Sequence, residues 1–161
     1  MSIVETKSLT KAYGSMVAVN QLDLQVEEGE IFGFLGPNGA GKTTTILMLL
    51  GLSQPTSGSA TVHGYDSTRE SLKVRRITGY LPENVGFYGD MSARANLTYT
   101  ARLNRISDKV SAGKIDNILE KVGLGQVRDQ RVETFSRGMK QRLGIADVLI
   151  KDPRVVILDE P

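Results

Sequence analysis

The chain has 161 residues, 40% hydrophobic and 24% charged, the balance of one ordinary globular domain long enough to bury a core. A net charge of only +2 and 6% aromatic residues give neither the basic field nor the stacking surface that nucleic acid requires. Cysteine is absent, which excludes disulfides and thiolate metal sites, and the longest apolar run, Ile46 to Leu50, is far too short for a bilayer span.

The N-terminal stretch MSIVETKSLTK carries Glu5 and no apolar core, so it is not a targeting peptide. Residues 1–30 read as β-rich: IVETKSL and VAVNQLDLQVEE alternate apolar and polar residues as half-buried antiparallel strands do. Gly29 marks a turn, and IFGFLG, Ile31 to Gly36, is expected to be a short strand that is apolar on both faces. Lys42 to Leu52 has helical spacing, with Ile46, Leu49 and Leu50 on the core side and Gly51 closing the helix. SQPTSG is then a turn, SATVHG a strand, RESLKVRR a short helix and ITGYL another strand. His63, the single histidine, is read as structural or exposed.

From Met91 to about Arg131 strand signals vanish. IDNILEKV places Ile115, Ile118, Leu119 and Val122 on one helix face, and Gly123 and Gly125 stop that helix. Met139, Leu143, Ala146 and Ile150 repeat the spacing before Pro153. VVIL, Val155 to Leu158, reads as a buried parallel strand, and Asp159 and Glu160 stand at its carboxyl end, the edge where open α/β sheets bind ligands. The fold expected is α/β, with residues 1–90 forming a core with an antiparallel β subdomain, 91–135 a helical subdomain, and 136–161 returning to the core.

GPNGAGKT, Gly36 to Thr43, matches the phosphate-loop pattern G-x-x-x-x-G-K-[ST] in full, with an apolar segment before it and a helix after it. Glycines at this spacing let successive backbone N–H groups converge on phosphate oxygens, and the helix N-terminus adds partial positive charge. Lys42 supplies a full charge for the β- and γ-phosphates, and the Thr43 hydroxyl is a ligand for Mg²⁺. Pro37, Asn38, Gly39, Ala40, Gly41 and Thr44 complete the stretch expected to wrap the nucleotide. Beside such a loop, Asp159 takes the role of the strand-end Asp that holds Mg²⁺. Glu160, next along, is placed to orient and deprotonate the attacking water.

Thr134 to Pro161, TFSRGMKQRLGIADVLIKDPRVVILDEP, resembles the signature and Walker B strand of the ATP-binding cassette (ABC) ATPases. Ser136-Arg137-Gly138-Met139 stands where that family has Ser-Gly-Gly-Gln, so Ser136 and Gly138 match while Arg137 and Met139 depart. With KAYG before the first hairpin and GYLPEN in the middle, the resemblance covers the whole chain. It implies a P-loop NTPase core sheet with an N-terminal antiparallel β subdomain and a helical insertion. It also implies ATP and Mg²⁺ as cofactors, and two such domains stacked head to tail on binding ATP. Ser136 and Gly138 of one copy then face the γ-phosphate held by Lys42 of the other. Arg137 either adds charge at that shared site or points into water. Tyr13 falls at the position of the family's adenine-stacking aromatic. Glu83 stands where the family usually has Gln; a carboxylate there still ligates Mg²⁺ but adds negative charge near the γ-phosphate.

The same resemblance implies an ATP-hydrolysing subunit that energises a separate transmembrane permease from the cytoplasmic face of the cell membrane, with no role for nucleic acid. Glu83 in GYLPEN looks like cassettes that power export rather than nutrient uptake. The other class considered, a soluble cassette ATPase of DNA repair or translation, usually carries coiled coils, zinc modules or a second cassette, and none is visible here. The family's chain continues past Glu-Pro with a loop, another strand, a switch histidine and further helices. The expectation is therefore a cassette cut after Walker B, a poor ATPase by itself, with a vacant strand position between Ile31–Leu35 and Val155–Leu158. Those two segments should then stand about 10 Å apart rather than pair directly.

Overall fold

Antiparallel pairing builds the first part of the chain, as the alternation in its sequence predicts. In the computed structural model, residues 2–160 are described, and the chain divides into two compact units, Met1–Thr78 and Gly79–Pro161. In the first unit β1 (Ser2–Tyr13), β2 (Met16–Glu27), β3 (Ser57–Val62) and β4 (Tyr65–Asp66) form one sheet in the order β2-β1-β3-β4. All three pairings are antiparallel. Val4 and Thr6 point inward with period 2, which by itself would turn Leu9 outward. A bulge intervenes: the β1–β2 register shifts between Thr6 and Leu9, and Ser8 and Gln21 adopt φ of 44° and 45°. Leu9 thereby returns to the core. The displaced backbone groups find side chains, since Ser8 N donates to Asp23 Oδ1 (2.6 Å) and Gln21 N to Thr10 Oγ1 (3.0 Å).

Helix α1 (Lys42–Leu49) packs on β2 and β3 and buries Thr45, Ile46, Met48 and Leu49, with Leu50 buried just beyond. Gly51, at φ 64°, closes it as expected. The short α2 (Ser71–Ile77) packs against β4 and buries Val74. His63 is exposed and forms, with Gly64, the tight turn between β3 and β4; both have positive φ (50° and 78°), the requirement of a type I′ hairpin.

One expected element is missing. Residues 31–35 form no strand and join neither sheet, and Ile31 and Leu35 are 101% and 92% exposed. The local sequence is apolar enough for a buried strand, but a strand exists only through its ladder partners. Among the described residues no strand pairs with this segment, and Val155–Leu158 pairs with Thr78–Leu81.

The second unit is mainly helical. Helix α3 (Ala93–Leu103), α4 (Asp108–Lys121) and α5 (Arg137–Leu149) share one apolar cluster in which Leu97, Ile115, Leu119, Leu143, Ala146 and Ile150 are buried. α3 carries only alanines at Ala93 and Ala101 on either side of Leu97, so its apolar face is faint in the sequence. Its start is specified instead by Ser92, whose Oγ accepts from Ala95 N at 3.1 Å. Buried Asn96 ties the preceding loop to the helix: its Oδ1 accepts from Tyr88 N (3.0 Å) and its Nδ2 donates to Tyr88 O (3.1 Å). Arg94 on α3 pairs with both Asp116 on α4 and Asp129. Two strands complete the unit, β5 (Thr78–Leu81) and β6 (Val155–Leu158), hydrogen-bonded neighbours in a two-stranded sheet. Val156 and Leu158, on one face of β6, are exposed.

Candidate functional site

In the first unit the phosphate loop closes onto the hairpin sheet. Gly41 is the N-cap of α1 at φ 86°, and a Cβ there would lie 2.3 Å from Ala18 O and 3.0 Å from Val19 Cγ2. Only glycine fits both the torsion and the space. Gly36 is tight as well, since its Cβ would come within 3.2 Å of Ala40 Cβ. The loop therefore lies against β2, and no side chain caps the helix N-terminus or places an acid in its first turn. Such an end is positive and ready for an anion. Lys42 Nζ curls back over the loop, donating to Gly36 O (2.7 Å) and Pro37 O (3.1 Å). Residues Gly36 to Ala40 are exposed, as is Thr43.

The contact with Ala18 and Val19 brings the loop near one end of the first hairpin. Across the ladder Lys11 pairs with Val19, Ala12 with Val17 and Tyr13 with Met16, where the chain turns through Gly14 and Ser15. Tyr13 is 49% exposed, with Lys11 Nζ 4.9 Å from its ring centroid.

In the second unit the acidic residues gather at adjacent strand ends. Asp159 leaves β6 with its backbone N bonded to Leu81 O at 2.9 Å, so the ends of β5 and β6 lie side by side. Asp159 as a whole is only 6% exposed, and its Oδ2 accepts a hydrogen bond from the Tyr80 hydroxyl at 3.4 Å. Burial, and then the negative charge and hydrogen bond of Asp159, push the Tyr80 phenol above its ordinary range, so it is protonated and a donor at neutral pH. Glu160 is exposed and sits at φ 52°, a left-handed conformation uncommon for a residue with a side chain. Glu83 is exposed, two residues beyond Leu81 at the exit of β5. Ser136 caps α5, its Oγ accepting from Met139 N at 3.3 Å, and Gly138 is exposed with open space where a side chain would be.

Each unit carries oxygen donors of the kind Mg²⁺ takes beside a nucleotide. Among the described residues no three His, Cys, Asp or Glu side chains cluster as a protein-only cage would need. Mg²⁺ ordinarily takes one or two carboxylates and completes its shell with phosphate oxygens and water; the second unit offers the carboxylates of Asp159 and Glu83, and the first unit, taken by itself, offers the exposed Thr43 hydroxyl. Sequence reasoning passed over Tyr80, although it lies inside GYLPEN. A tyrosine in a strand gives no sign of its partner until the strand order is known.

Residues 19–161 match the ABC transporter family. The chain belongs to that family. This ABC domain is 47% identical over 160 residues to the bacitracin transport ATP-binding protein BcrA of Bacillus licheniformis, covering 99% of the chain and 51% of the relative. It is 36% identical over 159 residues to the linearmycin resistance ATP-binding protein LnrL of Bacillus subtilis, covering 99% and 51%. Among solved structures it resembles cbiO1 from Clostridium perfringens, described as part of the ABC transporter complex cbiONQ, with TM-score 0.89 and 26% identity over 99% of this chain and 66% of that one. A second, described as the ATP-binding subunit of an ABC transporter, gives TM-score 0.85 at 27% identity, over 97% and 65%. The ABC domain thus spans about half the length of these curated relatives. No helix among the described residues is long and apolar enough to cross a membrane.

Proposed function

We propose that this domain binds and hydrolyses ATP to energise export through a separate transmembrane permease, acting peripherally at the cytoplasmic face of the membrane. The observation that carries the reading is the phosphate loop: a glycine-lined turn closed onto β2 at Gly41, with Lys42 at the head of an uncapped helix. Lys42 gives up two carbonyl partners and turns to the β- and γ-phosphates, exchanging neutral acceptors for charged ones. Gly36, Pro37, Asn38, Gly39, Ala40, Gly41, Thr43 and Thr44 wrap the phosphates, and Tyr13 stacks on the base. Thr43, Asp159 and Glu83 hold Mg²⁺, which when bound neutralises phosphate charge. Glu160 accepts the proton of the attacking water.

Ser136 and Gly138 serve a second copy of the domain in a head-to-tail dimer. The N-terminus of α5, capped by the exposed Ser136, and the open space over Gly138 suit close approach to an anion. Export is favoured over uptake, and transport over DNA repair or translation, by relatives named for bacitracin transport, linearmycin resistance and probable multidrug transport. Glu160→Gln should bind ATP and accumulate as a dimer on size-exclusion chromatography. A protein that stays monomeric with ATP and Mg²⁺ would count against the paired mechanism.

A further inference from the structure

β5 and α5 meet through glycines. At Gly79 an added Cβ would lie 2.4 Å from Val148 Cγ1 and 3.0 Å from Val148 O, and at Gly144 it would lie 2.5 Å from Leu81 Cδ1. Gly79 and Leu81 therefore face α5, and strand alternation turns Tyr80, between them, to the opposite side. The backbone under this tyrosine has little freedom, because shifting β5 toward α5 would drive it into Val148. On that fixed strand the Tyr80 hydroxyl meets Asp159 Oδ2 at 3.4 Å, while Leu81 O holds Asp159 N at 2.9 Å. Backbone and carboxylate of Asp159 are thus both held by neighbouring residues of β5, and the residue is buried.

We infer that Tyr80 is a positioning residue for Asp159, its hydroxyl fixing one carboxylate oxygen so that the side chain is oriented before a cation arrives. The inference rests on the reading of Asp159 as a Mg²⁺ ligand. A phenol suits the task chemically. It donates one hydrogen bond without bringing positive charge, so it orients the carboxylate and leaves its negative charge for the metal. A lysine or arginine at Tyr80 would neutralise the ligand it oriented, and a phenylalanine would remove this hydrogen bond.

The test is a Mg²⁺ titration of the 161-residue chain in the presence of a fluorescent ATP analogue. It compares the unsubstituted chain with Tyr80→Phe, Asp159→Asn and the double variant. Tyr80→Phe should raise the Mg²⁺ midpoint by about 10-fold, with nucleotide affinity in EDTA and the melting midpoint unchanged. A tyrosine that only packs would move the last two instead, and that result overturns the inference. In the Asp159→Asn background the added Tyr80→Phe should have no further effect on the Mg²⁺ dependence, since its target is gone. If Asp159→Asn shifts the midpoint and Tyr80→Phe does not, Tyr80 has no positioning role. If Asp159→Asn shifts nothing, or the unsubstituted chain shows no Mg²⁺ dependence, the metal reading fails and takes the inference with it.

Discussion

Replacing Gly41 by alanine should damage the domain in two separable ways. The residue sits at φ 86° and ψ 8°, where a side chain costs about 1–2 kcal/mol through its clash with the following carbonyl. The new Cβ would also lie 2.3 Å from Ala18 O. That carbonyl is main chain of β2, at the bulge between the Lys11–Val19 and Ala12–Val17 pairs, so it yields less readily than the end of a flexible side chain. Overpacking of this kind costs about 1–3 kcal/mol, for a total of about 2–5 kcal/mol. Gly39 provides the control: its φ is 82°, yet nothing lies within 4 Å of its added Cβ. Gly39→Ala should therefore show the torsional cost alone, about 1–2 kcal/mol. Urea denaturation of both variants measures the difference, expected at about 1–3 kcal/mol in favour of Gly39→Ala. Equal stabilities would show that the phosphate loop does not rest on β2 as described.

Further expectations concern the core, the charge clamp and catalysis. Leu97→Ala, in the middle of the three-helix cluster and fully buried, should cost about 2–5 kcal/mol by chemical denaturation; a loss under 1 kcal/mol would mean that cluster is not the core of the second unit. The Arg94 guanidinium beside Asp129 holds that carboxyl below its ordinary 3.8, so the stabilisation is present above that value and lost as pH falls through the depressed one. Asp129→Asn should accordingly be less stable than the parent at pH 7, with the gap closing toward pH 3 and shrinking with salt; a gap that widens on acidification would reverse the sign of the argument. Glu160→Gln should retain ATP binding while steady-state phosphate release drops by about 10²- to 10⁴-fold. The 161-residue chain itself should release phosphate far more slowly than a full-length cassette ATPase, and comparable rates would refute the expectation.

The parts of the fold that local chemistry determines were legible. The alternation of IVETKSL and VAVNQLDLQVEE gave β1 and β2, and the face made by Ile115, Ile118 and Leu119 gave α4. The phosphate loop was legible because its pattern constrains backbone torsion, and Gly41 bears that out at φ 86°. What local sequence could not supply was pairing. IFGFLG has the composition of a buried strand and yet is irregular, because composition does not provide a neighbour. The bulge at Ser8 that returns Leu9 to the core depends on Asp23 and Thr10, residues distant in sequence, and α3 hid behind an apolar face made mostly of alanine. Tyr80 escaped for the same reason as the bulge: its meaning lies in a strand end that arrives much later in the chain.

The central claim, that this domain is a nucleotide-binding engine worked by Lys42, is tested most directly by titrating a fluorescent ATP analogue into the chain and into Lys42→Ala. Lys42 is exposed enough that its two carbonyl hydrogen bonds stabilise the loop only modestly, about 0.5–1.5 kcal/mol each, so the variant should remain folded. The account predicts saturable binding by the chain and its loss in Lys42→Ala, because the phosphates would be left without a cation of their own. Unchanged affinity in a folded Lys42→Ala chain would contradict it.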